Sequence, residues 1–242
     1  KAMGAATNLL AQETAIKQAS FAGQRASPAL NLVARPLYNT REGYASSLVT
    51  GVAFLILHQT LLIGLGVVYG TQRQQKGYLA ISPCNFFGQA AAAISLGMLG
   101  LIYYAGFMFW FQDYPQNTSL APLLLAGFVY ITACVSLAMF LGSFFTQRER
   151  AFQLLLATSL PLFFLANLTW PATSTPLVLT WLAKVLPATL GINLFIKLTQ
   201  FGASLSEAKT ELFTLLGLSW LFLSLAYWRL TKRLPHIKLR RP

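Results

Sequence analysis

Few side chains in this 242-residue chain could do chemistry. Histidine occurs at His58, inside the run FLILHQTLL, and at His236 near the C-terminus; cysteine occurs at Cys84 and Cys134. Asp113 is the one acid between Glu42 and Glu149. General acid–base work needs a positioned donor and acceptor, and no carboxylate pair falls in the apolar stretches. Two cysteines cannot make a zinc site, and neither is placed for a disulfide. No G-x-x-x-x-G-K-[ST] run occurs, so ATP hydrolysis cannot reside here. The sequence therefore assigns no catalytic residue, no metal site and no cofactor to this chain. What remains is His58-Gln59, in the middle of an apolar run. An ionisable residue there is a functional candidate, a contact for substrate or a proton along a translocation path. A packing histidine bonded to a neighbouring helix is the equal alternative.

The elements that hold this pair are read from missing charge. Only 10% of residues are charged and 55% are hydrophobic, with a mean hydropathy of +0.57; a soluble domain carries about a quarter charged residues. No charge occurs between Glu42 and Arg73, Lys76 and Asp113, Asp113 and Arg148, Arg150 and Lys184, or Glu211 and Arg229. A spanning helix takes about 20 apolar residues, so each gap holds one. The expectation is an all-α polytopic membrane protein with five transmembrane helices, at about 46–69, 88–111, 120–145, 151–169 and 208–228.

If the spans alternate, ten basic residues share one side: Arg73, Lys76, Arg148, Arg150 and the six of the tail from Arg229 on. Five lie opposite: Arg35, Arg41, Lys184, Lys197 and Lys209. The richer side should be cytoplasmic. That puts the C-terminus inside and the N-terminal end of this chain outside. It also accounts for the net charge of +12 by membrane orientation and anionic lipid rather than by nucleic acid.

Residues 1–27 read as helix and 30–39, LNLVARPLYN, as a strand. Together they suggest the remnant of an extracytoplasmic α/β domain over 1–41, with the transmembrane domain over 42–242. An outside start without a preceding span or methionine suggests the C-terminal part of a longer polypeptide lacking its first span, six being expected in full. The segment TQRQQKGYLAISPCNFFGQ (71–89) is too long and patterned for a plain turn; it reads as a solvated connector or a short amphipathic helix on the membrane face. Small residues in GQAAAAISLGMLG (88–100) suit close helix packing, and the aromatics of YYAGFMFWF (103–111) suit an interfacial belt or an exit lining.

Several pieces together resemble the permease subunit of ABC-2 type transporters, of the multidrug or efflux kind. Arg35-Pro36-Leu37-Tyr38-Asn39 resembles the Arg-x-x-Tyr-Asn segment that enters the second span. The loop from Gln72, Arg73, Gln74, Lys76 and Gly77 to Ser82-Pro83 resembles the family's loop after that span, with Gln72 and Gln74 where the family often has glutamates. Trp170-Pro171, Pro176, Trp181 and Pro187-Ala188-Thr189 resemble the final extracytoplasmic hairpin. The likeness covers about residues 30–230.

The resemblance implies a membrane permease subunit of an ATP-driven ABC exporter, moving a hydrophobic or amphipathic substrate out of the cytoplasm or inner membrane. A cytoplasmic ABC ATPase would bind ATP and Mg and push on the 72–83 loop. The resemblance further implies a permease homo- or heterodimer, a periplasmic adaptor subunit as an additional partner, and a place in the bacterial inner membrane. It also implies a re-entrant helical hairpin at about 170–200 between the last two spans, acting as extracytoplasmic gate. Proline ends helices by removing a donor, so Pro171 should close the fourth span, Pro176 start a short helix and Pro187 set the corner. An ordinary loop with an interfacial helix is the plainer alternative to the hairpin. The alternative to transport is a membrane scaffold or assembly protein that carries nothing.

Overall fold

The structure, a computed structural model, describes residues 44–114, 116–166, 168 and 175–231, together with Leu10, Glu13, Thr14 and Lys17. The chain divides into two units, Lys1–Gly43 and Tyr44–Pro242. In the first, Leu10, Glu13, Thr14 and Lys17 are helical. The strand expected over 30–39 lies outside the described residues, as do Arg35, Tyr38 and Asn39.

In the second unit every regular element among the described residues is helical. Helix α1, Tyr44–Lys76, has 33 residues and is about 50 Å long, against a hydrocarbon core of roughly 30 Å. Its apolar body can cross a bilayer while its last turns reach beyond. So Gln72, Arg73, Gln74 and Lys76 belong to the end of α1 and not to a loop. The helix stops at Gly77, which adopts a left-handed φ of 75° that costs glycine little.

Helix α2, Pro83–Leu101, begins where backbone chemistry dictates, five residues before the apolar run expected at 88. Ser82 is extended at ψ 151° and its Oγ accepts from the Asn85 amide at 3.3 Å, with Pro83 in the first turn, where a missing N–H costs nothing. A π segment, Ile102–Met108, and a last turn, Phe109–Phe111, prolong it. Helix α3, Leu120–Gly142, is buried almost all round from Val129 to Met139 and packs against α1, α2 and further helices described below. A tight turn leads to α4, Glu149–Leu165. This helix ends before Pro171, which lies outside the described residues with Trp170.

Two short helices follow, α5 (Leu177–Val185) and α6 (Pro187–Thr199), bent by 87°. Leu186 is extended between them at ψ 116°, the conformation that a following proline favours. Helix α7, Lys209–Thr231, closes the order and packs along α3. Four stretches are long and apolar enough to cross a membrane: Leu48–Lys76, Pro83–Phe111, Leu120–Gly142 and Lys209–Thr231. The α5–α6 pair makes up to five if it is counted as one crossing. Helix α4, with 17 residues, is shorter than these.

The core is tied by aromatic rings from three helices. Phe54 of α1 stacks on Phe195 of α6 with centroids 3.8 Å apart and planes 8° from parallel. Tyr130 of α3 meets both edge-on and donates its hydroxyl to Phe54 O at 2.7 Å. Helix α6 reaches this cluster because Gly191 lies flat on the Tyr130 ring; a Cβ there would be 2.1 Å from ring carbons.

Candidate functional site

Helices α1 and α4 pack side by side. Along their seam runs an open cleft of about 250 Å³, walled by Leu55, Ile56, Ile63 and Leu155 and holding three polar side chains, Gln59, Thr60 and Ser159. The hydroxyls are spoken for: Thr60 donates to Ile56 O at 2.8 Å and Ser159 to Leu155 O at 2.6 Å. This back-bonding is how a hydroxyl satisfies itself in an apolar helix. Gln59 is only 6% exposed and donates from Nε2 to Thr158 Oγ1 at 3.4 Å. Its Oε1 is buried and has no partner.

The two residues of the expected translocation path separate here. Gln59 lines the cleft; His58 does not. His58 sits one turn on from Phe54, on the side of α1 that buries the aromatic cluster, and is 2% exposed with Nδ1 unpartnered. Thr158 and Ser159 escaped sequence reading. Their signal is a pair of hydroxyls in the run AFQLLLATSLPLFFL, on the helix that packs against α1.

One end of the bundle is basic. Arg73 and Lys76 end α1, Arg148 and Arg150 flank the start of α4, and Arg229 sits near the end of α7, its guanidinium 3.8 Å from the centroid of the Phe144 ring. The acid among them is Glu149, which accepts from Arg148 Nε at 3.0 Å and from Gln74 Nε2 at 3.2 Å. Its own backbone amide and Arg148 hold its carboxyl below the ordinary value. The connector from Gly77 to Ser82 crosses this end. Leu79 and Ile81 are buried, Tyr78 is exposed, and the Ile81 amide donates to Leu230 O at 2.9 Å. Residues 71–89 are thus a helix end, a six-residue connector seated on α7, and a helix start.

The opposite end mixes charges. Lys197 of α6 pairs with Glu211 of α7, and Asp113, Glu207, Lys184 and Lys209 lie at the same end of their helices. Asn117, in the link between α2 and α3, donates from its backbone N to Thr199 O and from Nδ2 to Gln200 O, each at 3.0 Å. That link is thereby held to the end of α6. The two arms of the bent pair differ sharply. Every turn of α6 is buried, Pro187 and Thr189 included, whereas α5 has no buried residue and exposes Trp181, with Lys184 Nζ 4.5 Å from its ring centroid. Thr189 Oγ1 bonds the Ala183 carbonyl and lies 2.8 Å from Leu186 O, which locks the corner. Pro176 precedes α5 as its N-cap.

A family model described as "ABC-2 family transporter protein" matches residues 2–228. No curated protein matches the chain.

Proposed function

Since the chain belongs to the ABC-2 transporter family, whose members are non-catalytic membrane components of transporters, we propose that it is the permease subunit of an ATP-driven exporter of hydrophobic or amphipathic molecules. The observation that carries this reading is the family match over residues 2–228. A cytoplasmic ATPase supplies the energy, two permease subunits assemble, and the chain sits in a bacterial inner membrane with a periplasmic adaptor as a further partner. The basic end of the bundle, with Arg73, Lys76, Arg148, Arg150 and Arg229, supports a cytosolic orientation for that end. The α5–α6 pair then lies at the outer side, as a re-entrant gate between the last two spans.

The mechanism follows from how the connector is seated. The ATPase presses on the end of α1 and on Gly77–Ser82. Because Leu79 and Ile81 are buried and the Ile81 amide is bonded to α7, the connector cannot move alone. The start of α2 and the end of α7 move with it, and α7 carries the load to α3 along their shared length. Phe54, Tyr130 and Phe195 link that motion to α1 and α6. The outward-open arrangement gains population in proportion to how much better ATP-bound ATPase fits it.

Reconstituting the full chain with its ATPase in liposomes tests this. ATP-dependent expulsion of an amphipathic fluorescent dye, with dye-stimulated ATP hydrolysis, is the expected result. Replacing Leu79 by Asp should uncouple hydrolysis from expulsion. Binding of the ATPase with no transport of any amphipath would leave a scaffold instead.

A further inference from the structure

We propose that the α1–α4 cleft is a binding subsite for a neutral hydrogen-bond donor, a hydroxyl or amide N–H carried on an apolar molecule, and that Gln59 Oε1 is the group that reads it. This rests on the permease reading and names the chemistry of the substrate's polar part.

The first step is which way the Gln59 amide faces. Its contact is Thr158 Oγ1, at 3.4 Å. Thr158 has one hydroxyl proton, and that proton is given to Leu154 O at 2.7 Å. Thr158 Oγ1 can therefore only accept, so the Gln59 atom facing it must be the donor nitrogen. The carbonyl oxygen is left over, buried and without partner. An unmet acceptor in an apolar setting is costly, and native folds rarely leave one without a role. The terminal torsion of glutamine is soft, and Gln59 lines the cleft, so a turn of the amide, giving up the long 3.4 Å contact with Thr158, would present this oxygen to an occupant.

The second step is what the occupant can be. The other polar groups of the cleft, Thr60 and Ser159, have already spent their protons on backbone carbonyls. The one proton left in the cleft is the second N–H of Gln59 Nε2, on the nitrogen already held at Thr158, so the unmet group is the Oε1 acceptor, which favours a donor over an ester, ether or ketone oxygen as the anchoring group. The acids described nearest in sequence to the two helices are Asp113 and Glu149, outside their apolar parts. A cation would enter without a counter-charge among the described residues, at a desolvation cost of several kcal/mol. A neutral donor is what fits. Size agrees: at about 250 Å³ the cleft falls below the roughly 300–1,000 Å³ of sites that enclose a drug-sized ligand. It takes a head group or one ring, and the remainder of the molecule lies along the seam.

The test uses three photoactivatable probes with one mid-chain diazirine: a long-chain primary alkanol, its methyl ether and the corresponding primary ammonium. Each is added to membranes holding the full chain, and labelled residues are mapped by mass spectrometry. The alkanol should label α1 and α4 around Gln59 about tenfold more than the ether, the factor expected for one hydrogen bond to a buried acceptor, and more than the ammonium. In Gln59→Met the preference should vanish; in Gln59→Glu it should pass to the ammonium. Equal labelling by the three probes in the unaltered protein overturns the proposal whatever the variants do. So does a preference that survives Gln59→Met or maps elsewhere. Labelling needs no ATP, so it separates the two readings: selective labelling without dye expulsion defeats only the permease reading, and expulsion without selective labelling defeats only this one.

Discussion

Gly70 shows how a single hydrogen can set the distance between a helix and the turn packed on it. A Cβ at this position would lie 2.6 Å from backbone atoms of Gln147 and Arg148, and a main chain cannot swing aside as a side-chain tip can. Gly70→Ala should destabilise by about 1–3 kcal/mol, the usual cost of overpacking, read as a lower melting temperature of the detergent-solubilised protein. Gly64, on the same helix, has nothing within 4 Å, so Gly64→Ala should be neutral or slightly stabilising, by up to about 1 kcal/mol from helix propensity. A reversal of that order would refute the packing account. Tyr130→Phe deletes one hydroxyl given to a helical carbonyl and should cost about 0.5–1.5 kcal/mol. At this scale the sequence was half legible. His58 and Gln59 stand out in an apolar run whatever the fold. Which of them lines the cleft depends on which helix covers which side of α1, since neighbours in a helix point about 100° apart, and that is chosen by packing between residues about 100 positions apart.

Helix ends obey local chemistry, so they should be the most readable features, yet hydropathy alone misses them. The expected span at 88–111 starts at Pro83 because the Ser82-Pro83 pair can cap a helix in water before the apolar run begins. Likewise α1 continues through Gln72–Lys76, where no residue opposes a helix until Gly77. At the other end of the bundle, Glu207 Oε2 accepts from the Ser204 amide at 2.7 Å and from its hydroxyl at 2.9 Å. This is the glutamate's half of the Ser-x-x-Glu capping box, here leading into α7, while the serine hydroxyl donates to the same carboxylate and the Glu207 amide donates to Ser204 O. The Ser204 amide first, and its hydroxyl second, hold the Glu207 carboxyl below its ordinary value. A lowered folded value means the bond is fully present above the ordinary carboxylate range and is lost as pH falls through the lowered one. Exchange protection of the Ser204 amide, corrected for intrinsic rate, should stay level as pH falls through the ordinary carboxylate range and be lost only below it. Glu207→Gln should remove that step, and an unchanged step would show that another group titrates. The proline-marked corner was legible in outline from Pro187. Its lock was not, because Thr189 Oγ1 contacts Ala183 O only once the chain has turned by 87°.

Across the whole molecule, the charge pattern was the most legible property and the least dependent on packing. Basic residues gather at one end because three helix ends separated in sequence bring them there, and counting lysines and arginines needs only span order. Cys84 is exposed near the start of α2 at that end, and Cys134 is buried in α3. A membrane-impermeant thiol reagent should therefore modify Cys84 in inverted vesicles and not in intact spheroplasts, while Ser204→Cys in a Cys84→Ser background should behave oppositely. Labelling of both from one side would invalidate the proposed orientation. Packing across the bundle was not legible in the same way: nothing local says that α6 is wrapped on every turn while α5 is bare. The π segment at Ile102–Met108 carries a last consequence. Beyond it, Phe109 is buried while Trp110 and Phe111 are exposed. The widened turn absorbs one residue: tightening the segment to ordinary α pitch with every residue kept would rotate the aromatic tip by about 100°, whereas excising one residue, Gly106 for instance, would restore that pitch and leave the tip near its present bearing. With the residue kept and the turn tightened, Phe109 would swing out of the interior and a neighbouring ring would take its bearing, so the angular setting of the whole outer rim hangs on that turn staying wide.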